Sequence, residues 1–564
     1  MIWGLMMATS VQLILPAGNS PVVRRIAEVF ARVVKERCGV DVIEAGECRV
    51  ELALAPGIGT EGFRIEDGAD GVRVCGNDEA GLLFGVGKLL RTARYGEGSF
   101  APGDWRGVSV PQRAFRAIYF ATHFHNFYHD APIEEVNHYI EDLALWGYNG
   151  LSVWFDMHHF TGIDDPEAQG FLERLHSFLY TAKSLGLRTG IMVLANEAYS
   201  NSPEELRADW SIGDNGYLEP LSHYHLEVCP SIPEGRGYIL RNLEAEFQRF
   251  ADVDLDFLDI WPYDQGGCTC AACKPWGGNG FVKMAEEVAA LFRRYFPGRE
   301  IILSTWLFER YIKGEWAALH QALGEHSPWV NYVMATQMTI EPFPEYPLTH
   351  GVPGGAQLLD FPEISMCGHG PWGGFGCNPF TRELERIWDS SKHILAGGLP
   401  YSEGIYEDLN KIAYAQFYWS DQRAADTVRE YAAFYFGEEV ADDVSQAIAI
   451  MERTHIHELQ EDNITVHVPE TAGMEAEWPL IQAADARMTS YALKNWRWRL
   501  IYLRALLDAE LAANHLRVNE RCFEAFDELT ALYHANIAVP GLRPPQRGTT
   551  AEWQALWEEA NAVK

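Results

Sequence analysis

Short apolar runs alternate with amphipathic segments through the middle of the chain, between residues 115 and 399. The segments between the runs repeat apolar residues at helical spacing, and unbroken apolar runs are typical of parallel strands buried on both faces. The runs lie at residues 115–121, 150–155, 188–194, 256–261, 300–306, 330–336, 355–361 and 393–399. Eight strand–helix units in succession predict a (β/α)8 TIM barrel. A doubly wound sheet is the alternative, but no glycine-rich fingerprint follows the first strand to support it.

The first 98 residues predict a small α/β unit ahead of the barrel. Ser20 and Pro21 open its first helix, because serine is a good helix cap and proline is favoured at the first helical position. A second helix begins after Asn77 or Asp78, either of which can act as the cap. Strands are predicted at 11–16, 40–44, 49–54 and across the hairpin 62–76.

The segments on either side of the barrel differ from it in composition. Residues 99–114 are rich in glycine and proline, which predicts a linker into a barrel at residues 115–406. From residue 407 to residue 564 the strand signals give way to long amphipathic helices. We therefore predict an α/β protein in which a TIM barrel follows a small α/β domain and precedes an all-helical domain.

The chain is strongly acidic, with a net charge of −34 over 564 residues. This charge disfavours nucleic acids and anionic membranes as partners, because both attract basic surfaces. No apolar run reaches the ~18 residues that a membrane span needs, and the N-terminus lacks the basic region of a signal peptide. We expect a cytoplasmic protein that binds neither nucleic acid nor membrane, and homodimer formation remains open.

Polar and aromatic side chains follow several predicted strands, where TIM-barrel active sites are built. Aromatic faces also stack on the apolar faces of sugar rings, and the chain has 18 Trp, 24 Tyr and 28 Phe, although a large core would need many of these as well. The predicted substrate-binding residues are His123, His125, Asp130, Trp154, Asp156, Tyr263, Trp306, Arg310, Asp360 and Tyr401. For the histidine-rich loops after the first two strands, an ordinary hydrogen-bonded loop and a metal-dependent hydrolase site are open alternatives.

Four cysteines lie close to the fourth predicted strand. Cys268, Cys270 and Cys273 form a C-x-C-x-x-C motif, and Cys229 lies upstream. Closely spaced thiolates favour a soft metal, so a structural four-sulfur zinc site is one prediction. Reduced cysteines without metal and a disulfide are the alternatives, with Cys367 and Cys377 as other partners. A zinc ion with four thiolate ligands would have no open position for catalysis, so no catalytic cofactor is expected.

Three segments resemble bacterial glycoside hydrolases. Residues 62–93 are similar to the N-terminal domain that precedes the barrel in hexosaminidases and α-glucuronidases, and residues 429–437 resemble the helical region of α-glucuronidases. Residues 225–276 contain "CPSIPE" and the cysteine motif, and they resemble a group related to β-N-acetylglucosaminidases. By that resemblance Asp264 falls where a catalytic or substrate-positioning acid is expected. The chain departs from substrate-assisted hexosaminidases because Asp264 has no acidic neighbour.

Two carboxyl groups across one glycosidic bond are the usual requirement for its hydrolysis. We predict Asp264 as the general acid and Glu403 as its partner, with Glu309 in reserve. The leading hypothesis is a glycosidase that releases a terminal sugar, an N-acetylhexosaminide by the resemblance. Release of an acidic sugar such as a glucuronide or sialoside is the second hypothesis. A catalytically inactive, carbohydrate-binding barrel is the third.

Overall fold

The computed structural model describes residues 7–68, 71–123, 126–210, 225–263, 266–337, 342–364, 377–454, 458–460, 463–465, 473–514 and 519–534. It contains a small N-terminal α/β unit, a closed parallel barrel and a group of C-terminal helices. The predicted fold class is confirmed. No helix in these ranges is both long enough and apolar enough to cross a membrane.

The N-terminal unit consists of a six-stranded sheet, a separate two-stranded sheet and two helices. Its elements are β1 (Ser10–Ile14), α1 (Pro21–Cys38), β2 (Asp41–Ile43), β3 (Cys48–Leu54), β4 (Phe63–Gly68), β5 (Gly71–Gly76), α2 (Glu79–Thr92), β6 (Arg94–Gly96), β7 (Ser99–Ala101) and β8 (Gly107–Ser109). The sheet order is β2-β1-β3-β5-β4-β8. Because β8 pairs antiparallel with β4, part of the segment predicted as a linker belongs to this sheet.

Both predicted helix starts of this unit are seen in detail. The hydroxyl of Ser20 accepts a hydrogen bond from the backbone N–H of Val23, as a capping residue should. For the second helix the cap is Asp78, which accepts from the N–H of Gly81. Asn77 has a different role, because its side-chain oxygen accepts hydrogen bonds from the preceding loop.

The barrel alternates strands and helices along the chain. Its elements are β9 (Phe115–Phe120), α3 (Phe127–Asp130), α4 (Ile133–Leu145), β10 (Gly150–Trp154), α5 (Pro166–Ser184), β11 (Arg188–Leu194), α6 (Pro233–Arg249), β12 (Phe257–Trp261), α7 (Gly280–Tyr295), β13 (Glu300–Ser304), α8 (Glu315–Leu323), β14 (Tyr332–Gln337), α9 (Glu345–His350), β15 (Gln357–Pro362), α10 (Thr381–Ser391), β16 (Leu395–Gly398), β17 (Tyr401–Ser402) and α11 (Asp408–Ser420). All the strand pairs are parallel, and both β10 and β16 pair with β9, which closes the ring.

The remaining described elements are mostly helical. They are α12 (Ala424–Phe436), α13 (Ala441–Thr454), β18 (Glu458–Gln460), β19 (Asn463–Thr465), α14 (Trp478–Asp485), α15 (Ser490–Lys494), α16 (Trp496–Ala513) and α17 (Glu520–Leu532). The predicted helical domain began at residue 407, yet α11 packs against barrel strand β9 and completes the last strand–helix unit. The helices that follow α11 therefore cover a complete barrel.

The N-terminal unit is joined to the base of the barrel by a buried ion pair. Arg116 is fully buried at the start of β9, and its guanidinium donates to the carboxylate of Glu61 at 2.7 Å. Asn149 donates to the same carboxylate at 3.0 Å. The guanidinium also lies over the rings of Phe84 and Trp419, which come from α2 and α11. These contacts connect the N-terminal unit to the barrel below the strand ends.

Candidate functional site

An aromatic platform fills the barrel where its strands end. The ring of Tyr119 lies 5.6 Å from that of Phe361, 5.8 Å from Tyr401 and 6.2 Å from Trp261. Trp306 extends the platform and lies 5.3 Å from Trp261. These rings come from five different strands or strand ends, because alternate residues of each strand point into the barrel. The platform is the apolar surface on which a sugar ring could stack.

Four buried carboxyl groups lie around Tyr119. Burial raises the pKa of the Tyr119 phenol well above its usual value, and the charges of Asp156, Asp259, Glu197 and Glu363 raise it further. Each of these acids is at most 2% exposed. They come from β10, β11, β12 and β15 or the residues directly after them, so the tips of successive strands converge as a TIM-barrel site requires.

Glu403 is a fifth carboxyl group at the same end of the barrel. It is fully buried directly after β17, and its Oε1 accepts a hydrogen bond of 2.7 Å from the Tyr401 hydroxyl. Glu363 forms a parallel β-bridge with Tyr401. Burial is the main cause of the raised pKa of the Tyr401 phenol, and the charges of Glu403 and then of Glu363 raise it further. Glu363 and Glu403 therefore flank one tyrosine of the platform.

The backbone that carries Glu403 is held from below. Glu407 accepts hydrogen bonds from the backbone N–H of Glu403 at 2.7 Å and from the Ser402 hydroxyl at 2.9 Å. Lys411, fully buried, lies 3.4 Å from Glu407 and donates to Ser402. The Tyr533 hydroxyl, from the end of the helical region, donates to the carbonyl of Glu403. These hydrogen bonds together hold the turn that carries Glu403 in one position.

The ends of β10 and β11 are connected by Glu197. This carboxylate accepts hydrogen bonds from the indole N–H of Trp154 at 3.1 Å and from the backbone N–H of Met157 at 2.7 Å. The Trp154 ring packs against His123, with 4.6 Å between ring centroids. Burial is the main cause that holds the pKa of His123 well below its usual range, and the neighbouring histidines lower it further. This ring is therefore neutral at physiological pH. Of the predicted binding residues, His123, Trp154, Asp156, Trp306 and Tyr401 therefore do come together.

Asp259 was not predicted from the sequence. It lies inside the barrel on β12, where it accepts a hydrogen bond from the indole N–H of Trp261 at 2.9 Å. Burial raises its pKa to about 8, so it carries a proton at neutral pH. The signal that could have revealed it is an acidic residue in the middle of an otherwise apolar strand, where a charge is costly.

Glu309 has a structural role that differs from the prediction. Its carboxylate accepts hydrogen bonds from the backbone N–H groups of Gly314 and Trp316, so it caps the start of α8. The buried acid of this region is Glu315, which accepts from the Tyr263 hydroxyl at 2.7 Å and from the N–H of Gly277. Glu309 is thus a weaker candidate than Glu403 for the second catalytic carboxylate, because both its oxygens bind backbone donors, and its role as the reserve acid stays a prediction.

Asp130 and Asp360 also lie apart from the platform. Asp130 is the last residue of α3 and is exposed. Asp360 lies one residue before Phe361, so it points to the opposite face of β15, where the Tyr418 hydroxyl of α11 donates to it at 2.6 Å. The alternation of side chains along a strand thus takes Asp360 out of the barrel interior and into the helix layer.

Replacing Asp360 with asparagine should change stability in a pH-dependent way. Burial raises the pKa of Asp360 to about 7 from its usual value of 3.8, so the folded state keeps a proton that the unfolded chain loses. Below about pH 4 both states are protonated; as pH rises to about 7, the wild type loses up to about 4 kcal/mol that the uncharged asparagine does not lose. Urea denaturation at several pH values should show the stability of the variant, relative to wild type, increasing through this range. Asp130→Asn is the surface control, and a pH-independent difference for Asp360→Asn would contradict the argument.

The other predicted residues are only partly placed. Asp264 and His125 lie outside the described residues. Tyr263 is buried beside Trp210 and Tyr311, at ring distances of 6.2 and 5.1 Å, and its hydroxyl faces Glu315. Arg310 follows β13 in a half-buried loop. The predicted roles of Asp264 and His125 in substrate binding and catalysis remain predictions.

Among the residues that the structure describes, two groups of side chains have the composition of metal sites. Cys229, Cys268, Cys270 and Cys273 form one, and Asp156, His158 and His159 form the other. In the second group His158 Nδ1 is hydrogen-bonded to Asp156, and His159 Nε2 lies 3.0 Å from the carbonyl of His123. One ring nitrogen of each histidine thus already has a protein oxygen as its hydrogen-bond partner. If this group held a catalytic metal, as in a metal-dependent hydrolase, treatment of the protein with a chelator would abolish turnover.

A cleft of about 1400 Å³ lies away from the strand ends, between the N-terminal unit and helices α12 and α15. Lys88 and Arg91 line it, and both donate to Glu430 across the cleft, at 2.8 and 3.0 Å. These pairs join the two parts of the chain. The acids of the platform are buried and converge at the ends of the barrel strands, whereas the cleft lies away from those ends, so the platform is the better candidate site.

Solved structures with the same fold include several glycoside hydrolases. A family GH115 4-O-methyl-α-glucuronidase with specificity for decorated arabinogalactans has a TM-score of 0.63 at 11% identity, over 97% of this chain and 79% of that one. A GH138 enzyme targeting pectin rhamnogalacturonan II has a TM-score of 0.57 at 11% identity, over 98% and 99%. A family 89 glycoside hydrolase from Clostridium perfringens has a TM-score of 0.60 at 12% identity, over 91% and 65%.

These similarities confirm the predicted resemblance in fold to TIM-barrel glycoside hydrolases, an α-glucuronidase among them. At identities of 11–12% they establish the architecture and leave the substrate open. Comparison of the sequence with protein-family models and with curated proteins finds no match.

Proposed function

We propose that this protein is a glycoside hydrolase that releases a terminal sugar from a glycoconjugate or an oligosaccharide. The observation that supports this most directly is the convergence of five buried carboxyl groups on one aromatic platform at the C-terminal ends of the barrel strands. Burying so many acids together is costly and is typical of functional sites. The similarity in fold to glycoside hydrolases agrees with the same chemistry but does not itself establish it.

Glu403 is our candidate for the ionised carboxylate of the reaction. The hydrogen bond from Tyr401 orients its Oε1 and stabilises the negative charge, and the turn beneath it is fixed by Glu407 and Tyr533. A carboxylate held in this way can act as the base that activates water or as the nucleophile. Asp264 remains our candidate for the general acid, and Glu363 is a further candidate because it flanks the same tyrosine.

A neutral N-acetylhexosaminide is the substrate class that we favour. The ionised Glu403 that we propose would repel the carboxylate of a glucuronide or a sialoside, whereas an acetamido group is uncharged. The aromatic rings also offer apolar contacts to an acetamido methyl group and to the sugar ring. The sequence resemblance over residues 225–276 points to the same substrate class.

A second candidate is release of an acidic sugar. It is favoured by the fold similarity to the GH115 α-glucuronidase, which extends over 97% of this chain and so includes the helices after the barrel. Arg310 follows β13 and could form a bidentate pair with a substrate carboxylate. The two candidates differ in whether the site must accept a negatively charged sugar, so they can be separated by experiment.

A panel of aryl glycosides tests both proposals. We expect the full chain to release the aryl group from an N-acetylhexosaminide, in the α or the β form, with a higher kcat/KM than from a glucuronide or a sialoside. The reverse order would support the acidic-sugar candidate. Tight binding of sugars without turnover of any glycoside would contradict both candidates and indicate an inactive carbohydrate-binding barrel.

A further inference from the structure

Four cysteine thiols from two separate segments meet beside the barrel mouth. Cys229 lies in the segment before α6, whereas Cys268, Cys270 and Cys273 lie in the loop between β12 and α7. All four sulfur atoms lie within 4.8 Å of one another. Local sequence alone cannot produce this arrangement, because Cys229 and Cys268 are separated by the whole of α6 and β12.

The distances between the sulfur atoms match those of a tetrahedral thiolate site. Cys229 Sγ lies 3.6 Å from Cys268, 3.8 Å from Cys270 and 3.9 Å from Cys273. A zinc ion binds thiolates at about 2.3 Å, so the edge of its tetrahedron is about 3.8 Å long. A disulfide would bring two sulfur atoms to about 2.05 Å, and all four of these cysteines are free.

The surroundings of the sulfur atoms also suit a metal site. Cys229, Cys268 and Cys273 are buried, and Cys270 is half-buried at the edge of the cluster. The Ser231 hydroxyl lies 2.9 Å from Cys229 Sγ and 3.4 Å from Cys270 Sγ, where it can donate a hydrogen bond to a metal-bound thiolate. Such outer hydrogen bonds orient thiolate ligands and are typical of metal sites in proteins.

The cluster lies where two loops of the candidate site are held together. Asn196, directly after β11, donates hydrogen bonds to the carbonyl of Val228 beside Cys229 and to that of Gly267 beside Cys268. The loop containing Gly267 and Cys268 begins at the end of β12, next to Tyr263. A metal bound by the four thiolates would fix both loops against the barrel mouth.

We infer that Cys229, Cys268, Cys270 and Cys273 bind one zinc ion, which joins the segment before α6 to the loop after β12. Four thiolates complete the tetrahedral coordination, so the ion has a structural role and takes no part in the reaction. Zinc binding releases the thiol protons and involves no change of oxidation state. The inference does not depend on which glycoside, if any, the barrel hydrolyses.

Metal analysis of the purified full chain tests this inference. After dialysis against a chelator that removes loosely bound ions, we expect about one zinc ion per chain. Cys268→Ser should reduce the zinc content at least several-fold and lower the Tm. Cys38→Ser is the matched control: Cys38 is also buried, and its Sγ already donates to a helix carbonyl as a serine hydroxyl would. Its zinc content should equal that of wild type.

Two measurements on the wild type remain decisive even if Cys268→Ser fails to fold. A mercurial that competes for thiolates should release zinc in proportion to the cluster thiols that it modifies. The chain purified after growth with cobalt(II) should show the sulfur-to-cobalt charge-transfer absorption of a thiolate site. Iron in place of zinc, a chain without tightly bound metal, or a disulfide among these cysteines would each overturn the inference.

Discussion

Glu403→Gln is expected to lower kcat/KM for the best aryl glycoside by about 100- to 10,000-fold, the range of effects for a lost acid or base. Glutamine has nearly the same size as glutamate and can still accept the hydrogen bond of the Tyr401 hydroxyl, which spans 2.7 Å in the wild type. It cannot remove a proton from water or form a glycosyl ester. The loss should appear in kcat, because a neutral side chain of the same shape leaves the aromatic platform intact.

Glu309→Gln is the matched control for this experiment. It makes the same chemical change on an acid that also follows a barrel strand but whose oxygens cap α8. Its kcat/KM should stay within a few-fold of wild type. If Glu403→Gln folds normally and keeps comparable turnover, Glu403 has no role in the chemistry, and the proposed site would have to be built from Asp264 and Glu363 instead.

Lys411→Met is expected to destabilise the protein by about 3–5 kcal/mol, the range for removing one partner of a buried ion pair. Lys411 and Glu407 are both fully buried, with 3.4 Å between Nζ and Oε1. Burial lowers the pKa of Lys411, and the charge of Glu407 opposes that effect. Without the ammonium group, the buried carboxyl group of Glu407 loses its compensating charge, and either an unpaired charge or the uptake of a proton costs stability. Urea denaturation measured by tryptophan fluorescence gives the change in free energy of unfolding.

The double variant Lys411→Met with Glu407→Gln distinguishes this explanation from a simple loss of packing. Glutamine removes the buried charge and keeps an oxygen that can accept from the N–H groups of Glu403 and Gly404. The double variant should therefore be more stable than Lys411→Met alone, which gives a favourable coupling energy between the two changes. If the two changes simply add, the lysine stabilises the turn through contacts other than its charge.

The barrel was predictable because each strand–helix unit is visible in a short stretch of sequence. Apolar runs and helical periodicity are local properties, and the closed ring follows once such units repeat. The position of Glu403 was predictable for the same reason, since it lies in the loop that follows the last of these runs, and the structure buries it beside Tyr401.

Which acids face the platform was less predictable. Glu309 follows β13 in the sequence just as Glu403 follows β17, yet it turns to cap α8. Asp360 lies on the helix-facing side of β15, whereas Glu363 after the same strand contributes to the field at Tyr119. A shift of one residue exchanges the two faces of a strand. The ends of a strand can be predicted from sequence only to within a few residues, so the face on which an acid lies cannot be predicted.

The sequence by itself determined the order of the elements, the helix caps at Ser20 and near Asp78, and the concentration of acids and aromatics at strand ends. These features depend on residues a few positions apart, so local chemistry is sufficient to specify them. Only the tertiary structure decided that Glu403 is held by Tyr533, the residue directly after the last described helix, and that Cys229 meets the cysteines of the loop after β12. Those contacts join residues far apart in the chain, and they depend on how the barrel closes and how the helices pack against it.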